Sequence, residues 1–181
     1  MLWGKMGNVY GMHKIERTYT LFALERRREY VCIAHVANSI LTLAGDDTRP
    51  ITLMQLHKLL YFLYKDYLKS TGMRLFLERF RTTDVGPASS EVTRAYHKLK
   101  EHAFITSFFP DADGKERYIP TDGSDQAFTD SLLTVWMKYS KYAGDILSVL
   151  THAKDSAWKK AWQRNKPFLS DTDIKEEPDF F

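Results

Sequence analysis

Apolar residues along this chain fall mostly into helical stripes, and the strongest stripe lies between Leu53 and Lys69. Leu53, Leu56, Leu60, Leu63 and Tyr67 recur at spacings of three and four, which aligns them on one face of a helix. Leu59, Phe62, Tyr64 and Leu68 widen that face until most of the circumference is apolar. Only His57, Lys58, Lys65, Asp66 and Lys69 interrupt it. A helix apolar on nearly all sides is expected to be central, with neighbours around it. Its ends are also written in the sequence. Thr52 and Gln55 have capping-box spacing, Pro50 blocks an earlier helix, and Gly72 suits a C-terminal cap.

Weaker stripes predict the surrounding elements. Ile33, Val36, Ala37, Ile40 and Leu41 predict a helix over 28–44, antiparallel to the central one across the Gly45–Pro50 loop. Leu75–Thr83 mixes polar and apolar residues with a partial period of two, which predicts an extended segment or short strand. Gly86-Pro87 is a sharp break before a helix capped by Ser89 or Ser90 and buried through Val92, Ala95, Tyr96 and Leu99. Phe104–Pro110 and Glu116–Pro120 flank Asp113-Gly114, the signature of a β-hairpin. A helix from about Phe128 carries Leu132, Leu133, Val135, Trp136 and Tyr139, and Gly144 is expected to end it. Asp145 would cap a short helix burying Ile146, Leu147, Val149 and Leu150. Two more short helices are expected: Ser156–Arg164, with Trp158 and Trp162 on one face, and Ser170–Glu177.

The expected fold is therefore mainly α, of the α+β kind: a compact helical domain around a central hydrophobic helix, with a small antiparallel β-hairpin or short sheet. Residues 1–27 read as an N-terminal extension, 28–177 as one helical domain and 178–181 as a tail. A helix is also conceivable over 14–28, and either Met1 or Met12 could be the native start.

Composition changes this picture little. The chain has 181 residues, enough for one domain with a well-filled core. The net charge of +3 is too small to argue for nucleic acid by itself. Charge is uneven, with Arg26, Arg27 and Arg28 near a basic start. Asp171, Asp173, Glu176, Glu177 and Asp179 make an acidic end, read here as solvated. The single cysteine, Cys32, cannot form an internal disulfide and reads as a small core residue. No apolar run is long enough to cross a bilayer, so a cytoplasmic protein with no membrane partner is expected.

The motifs of common chemistries are missing from the text. There is no phosphate-binding glycine loop, His-Glu-x-x-His run or Gly-x-Ser-x-Gly elbow. Lys58 and Asp66 lie on one side of the central helix, as solvent-facing breaks or as a partner-contact patch. Thr151-His152 with Asp155 and Trp158 forms a polar turn, read as capping before a catalytic His–Asp pair. Asp111, Asp113 and Glu116 only loosely match a calcium loop. The expectation is a non-enzyme with no cofactor, no metal and no catalytic residue.

An ordered set of short motifs points further. Val36-Ala-Asn38 is followed by Ile51-Thr52 and Leu56-His-Lys-Leu-Leu-Tyr-Phe62. Then come Gly72 with Leu75-Phe76, Gly86-Pro87 ahead of Val92 and Tyr96, Trp136–Tyr139, Leu150-Thr-His152, and Ser156-Ala-Trp158-Lys159. In this order the chain resembles the Panacea domain, the SocA-like antitoxin family also found in phage-associated proteins. Asp84-Val85 and Ala157 depart from the family's usual residues, where an aromatic-basic pair and a proline are common.

The resemblance implies a helical protein that neutralises a cognate toxin, encoded by an adjacent gene, through direct contact. Some members act as adaptors delivering the toxin to a cytoplasmic AAA+ protease. It marks Leu56, Lys58, Leu59, Leu60, Tyr61, Phe62, Gly86, Pro87, Thr151, His152 and Trp158 as motif residues, serving partner contact or packing. Two other readings stay open: a DNA-binding autorepressor using Arg26–Arg28, and a small hydrolase using His152 and Asp155.

Overall fold

The computed structural model describes residues 30–100 and 103–179. The readings for residues 1–28, including the basic Arg26–Arg28 cluster, lie outside the described residues. Val31–Phe181 form one compact unit. Its elements are α1 (Ile33–Asp46), α2 (Leu53–Thr71), β1 (Arg81–Thr83), β2 (Gly86–Ala88), α3 (Ser90–Leu99), α4 (Gln126–Tyr139), α5 (Gly144–Thr151), α6 (Ala157–Gln163) and α7 (Asp171–Glu176). The fold is mainly α with one small antiparallel sheet, as the sequence predicts.

The second helix is central. It touches α1, α3, α4, α5, α7 and β2. Leu56, Leu59, Leu60, Tyr61, Phe62, Leu63 and Tyr64 are all buried, so every side of its middle turns is covered. Both ends are capped as expected. The Gln55 N–H donates to Thr52 Oγ1, and the Thr52 N–H donates to Gln55 Oε1. Gly72 takes the left-handed conformation at φ 74°. Aromatic rings seat the helix on its neighbours: Phe62 stacks on Tyr139 with centroids 4.2 Å apart, and Tyr61 meets Phe80 edge-on at 5.4 Å.

The hairpin stands elsewhere than expected. Arg81–Thr83 pairs antiparallel with Gly86–Ala88, so Asp84-Val85 form its turn. The arms around Asp113-Gly114 form no named strand. A tight turn does close there, with the Gly114 N–H donating to Asp111 O. Its flanks, however, bond to α1 side chains. Asn38 donates to the carbonyls of Phe109 and Arg117 and accepts the Phe109 N–H. Ser39 Oγ both donates to Ile119 O and accepts its N–H. Two polar side chains thus take the hydrogen bonds that a ladder would have used.

Several local expectations change with tertiary context. The first helix begins at Ile33, and Cys32 is its half-buried N-cap. The fourth ends at Tyr139, before Gly144, which instead opens α5 pressed against Met54 and Gln55. Ala143, and not Asp145, occupies the cap position of α5. Leu133, Ile146 and Val149 are exposed. No helix among the described residues is long and apolar enough to cross a membrane.

Candidate functional site

The motif residues on α2 are almost all interior. Leu56, Leu59, Leu60 and Phe62 fill the core, and Tyr61 is buried with them. Lys58, which the sequence offers as a solvent-facing break or a partner-contact residue, is only 1% exposed. The turns of α2 around it are covered by neighbouring elements. Its ammonium donates to the carbonyl of Pro87 at 3.0 Å. Burial lowers its pKa from 10.5 to about 8, because desolvation penalises the charged form. Of the two residues offered as a contact patch, Asp66 is half-buried and Lys58 lies in the interior.

Around that ammonium the structure brings together residues far apart in sequence. Gly86 has φ 101°, in the left-handed half of the map that favours glycine. A β-carbon there would lie 2.5 Å from Thr151 Oγ1, 2.9 Å from Lys58 Nζ and 3.3 Å from His152 Nε2. Only a glycine lets α2, the hairpin and the end of α5 approach so closely. His152 stacks on Trp158 with centroids 3.8 Å apart, and its Nε2 is buried without a hydrogen-bond partner among the described residues. Desolvation, with Lys58 and Lys159 nearby, lowers its pKa.

The hairpin is clamped by side chains from three helices. Trp158 Nε1 donates to Thr83 O at 2.9 Å, Ser148 Oγ to Val85 O at 2.5 Å and Lys58 to Pro87 O. Each held carbonyl belongs to an alternate residue of the turn region. Backbone carbonyls removed from water need such partners, and here they come from α6, α5 and α2. Within the hairpin, Thr83 Oγ1 donates to Gly86 O. Beside the clamp, His57 is buried and its ring bridges two groups. Nδ1 accepts the Ser89 N–H, and Nε2 meets Thr93 Oγ1. Thr93 Oγ1 already donates to Ser89 O, so the network assigns a neutral ring with its proton on Nε2.

A second buried network ties the acidic end to the core. Glu177 is wholly buried, although its charge suggested a solvated end. Its carboxylate accepts from Tyr61 Oη, from Lys65 Nζ at 3.1 Å and from the Ala157 N–H at 2.7 Å. Lys65 also donates to Pro178 O, and Lys69 donates to Glu177 O and pairs with Asp179. The Tyr61 hydroxyl's pKa is raised well above 10, first by burial and then by Glu177. No sequence pattern announces this network, since Tyr61 and Lys65 lie more than a hundred positions from Glu177.

Of the alternative chemistries, the His152–Asp155 pair is not assembled. His152 is spent on Trp158, and Asp155 is exposed with no hydrogen bond to it among the described residues. The Asp111 carboxylate is already engaged by His35, Arg117 and the N–H groups of Asp113 and Lys115.

The clamped elements also carry exposed apolar side chains. Val85, at the hairpin tip, is 47% exposed and Val149, on α5, is 68% exposed. The Ser148 hydroxyl, one position before Val149, donates to the Val85 carbonyl and so ties α5 to the hairpin tip. Ile146 adds to the α5 side, and exposed Trp162 stacks on Trp158 at 5.1 Å.

No curated protein and no solved structure matches the chain. A family model, described as "Antitoxin SocA-like, Panacea domain", matches residues 56–159, more than half of the chain. Lys58, Gly86, Pro87, Thr151, His152 and Trp158, which meet at the clamped hairpin, all lie inside that span, and the chain belongs to the SocA-like antitoxin family of Panacea domains.

Proposed function

We propose that this protein is an antitoxin that neutralises its toxin by direct protein–protein contact, through the apolar surface at Val85 and Val149. On this reading, residues 28–177 work as one domain, and the motif residues serve the contact indirectly. Ten of the eleven are buried, and His152 is half-buried. Their role is to hold the hairpin tip and α5 in one fixed geometry, because pre-organised surfaces lose less entropy on binding. The observation that carries the reading is that the hairpin tip and α5, tied by the Ser148–Val85 hydrogen bond, each carry an exposed valine, Val85 and Val149. Exposed Trp162, which stacks on Trp158, is of the residue type favoured at interface hot spots.

The partner is the protein encoded by an adjacent gene, met in the cytoplasm. Co-expression tests this. The neighbour alone should arrest growth, and this chain should restore growth while co-purifying with it. A neighbour that is harmless alone, or that stays toxic and unbound, would sink the reading. A finer version makes the protein an adaptor for an AAA+ protease. It requires the toxin's half-life to shorten when this chain is present, and to lengthen again when the protease is removed.

A further inference from the structure

Outside the clamp, the outer edge of β1 carries an unusual arrangement of charge. Residues 167–169 run along that edge. The Thr82 N–H donates to Pro167 O, the Leu169 N–H donates to Phe80 O, and Arg81 bridges Phe168. Phe80 and Leu169 are buried, so the edge is fixed to the core. Phe168 then serves as a shelf for two guanidinium groups. The Arg79 guanidinium carbon lies 4.8 Å from the ring centroid and that of Arg81 lies 5.6 Å away. Both side chains are exposed. Among the described residues, no carboxylate lies within ion-pair distance of either.

This geometry differs from an ordinary surface arginine. Exposed arginines wander and lose side-chain entropy when they bind. Here a shared aromatic ring holds both, so their planar donor forks are partly ordered in advance. Such forks fit the two oxygens of a carboxylate or phosphate. Exposure alternates along the segment that leads into β1, with Leu77, Arg79 and Arg81 exposed around half-buried Glu78 and buried Phe80. An apolar residue thus opens the row that the two cations continue. Lys166, also exposed, stands two positions before Phe168.

We infer that the Leu77–Arg79–Arg81 row on its Phe168 shelf is a docking surface for an acidic, apolar-flanked segment of a protein partner. A segment in extended conformation puts every second side chain on one face, so alternating acidic and apolar residues match the row. Nucleic acid fits less well. The basic area is small, exposed Asp84 stands at the hairpin tip, and Asp171 and Asp173 open α7 nearby in the chain. A phosphate backbone is favoured by an unbroken basic stripe. The inference does not depend on the antitoxin reading, because it concerns a different face with different chemistry.

The test uses the full chain and three fluorescent probes: a short peptide alternating Glu and Leu, a matching Lys and Leu peptide, and a single-stranded oligonucleotide. Anisotropy should report binding of the acidic peptide only, weakening as salt is added. Arg79→Glu/Arg81→Glu should weaken it by about tenfold or more, since it replaces attraction with like-charge repulsion. Arg79→Lys/Arg81→Lys should retain part of the binding, because charge survives while the fork is lost. Unchanged melting of both variants shows that the fold is intact, and Val85→Asp should leave peptide binding untouched. Equal binding of the acidic peptide by wild type and the Glu variant would overturn the inference. So would no binding of that peptide, or binding of the oligonucleotide in its place.

Discussion

The Lys58 ammonium donates to the Pro87 carbonyl across 3.0 Å, from a side chain almost entirely removed from water. That bond joins the middle of the central helix to the second strand of the hairpin. A charge in this position is costly unless it is hydrogen-bonded, and its lowered pKa of about 8 records the cost. The same spot accounts for the glycine at position 86, because Lys58, Thr151 and His152 all crowd the place where a β-carbon would stand.

Gly86→Ala follows directly. The substitution faces a φ of 101° and a hydroxyl oxygen 2.5 Å from the new carbon. Strain and overpacking together should cost about 2–4 kcal/mol. Urea denaturation measures it. A loss below about 0.5 kcal/mol, the scale of an ordinary surface change, would mean the three elements do not meet this closely.

Glu177→Ala should be more damaging than its place near the end of the chain suggests. It removes the carboxylate that Lys65, Tyr61 and the start of α6 share. Breaking a buried ion pair from one side costs about 3–5 kcal/mol. Glu177→Gln keeps part of the hydrogen bonding and should fall between the two. Denaturant midpoints of the three proteins give the order.

His57 makes stability depend on acid. Burial, helped by the Lys58 charge, lowers its pKa from 6.5 to about 4. The unfolded chain then takes up the proton first as pH falls. The stability contributed by the neutral ring is whole above about 6.5 and is lost progressively down to about 4. The full loss is about 3 kcal/mol. Protonation would also turn Nδ1 from an acceptor into a donor facing the Ser89 N–H. His57→Gln should lower stability at neutral pH yet flatten the profile between those limits. A wild-type profile already flat there would remove His57 from the account.

Local features were legible in the sequence and distant ones were not. Thr52, Gln55 and Gly72 bound the central helix by contacts within a few residues, so spacing alone reveals them. Asp113-Gly114 looked like a hairpin because its flanks are apolar. Asn38 and Ser39, some seventy to eighty positions earlier, capture those flanks instead. Lys58, Lys65 and Glu177 looked like solvent-facing charges for a similar reason. Charge type predicts exposure only when no partner exists inside, and their partners come from other elements. The motif resemblance named Lys58, Gly86, Thr151, His152 and Trp158 without their geometry. Their meeting at the hairpin, and the exposure of Val85 and Val149, came only with the fold.

In the proposed function, the motif holds a scaffold and the exposed valines make the contact. The most direct measurement is the affinity of the double variant Val85→Asp/Val149→Asp for the toxin, taken alongside its melting temperature. Both side chains are exposed, so melting should be unchanged. Affinity should fall by about a hundredfold, since each aspartate would bury an unpaired charge against the partner at more than about 1 kcal/mol, and rescue of growth should fail. A variant that folds, binds the toxin as tightly as wild type and restores growth would contradict the account.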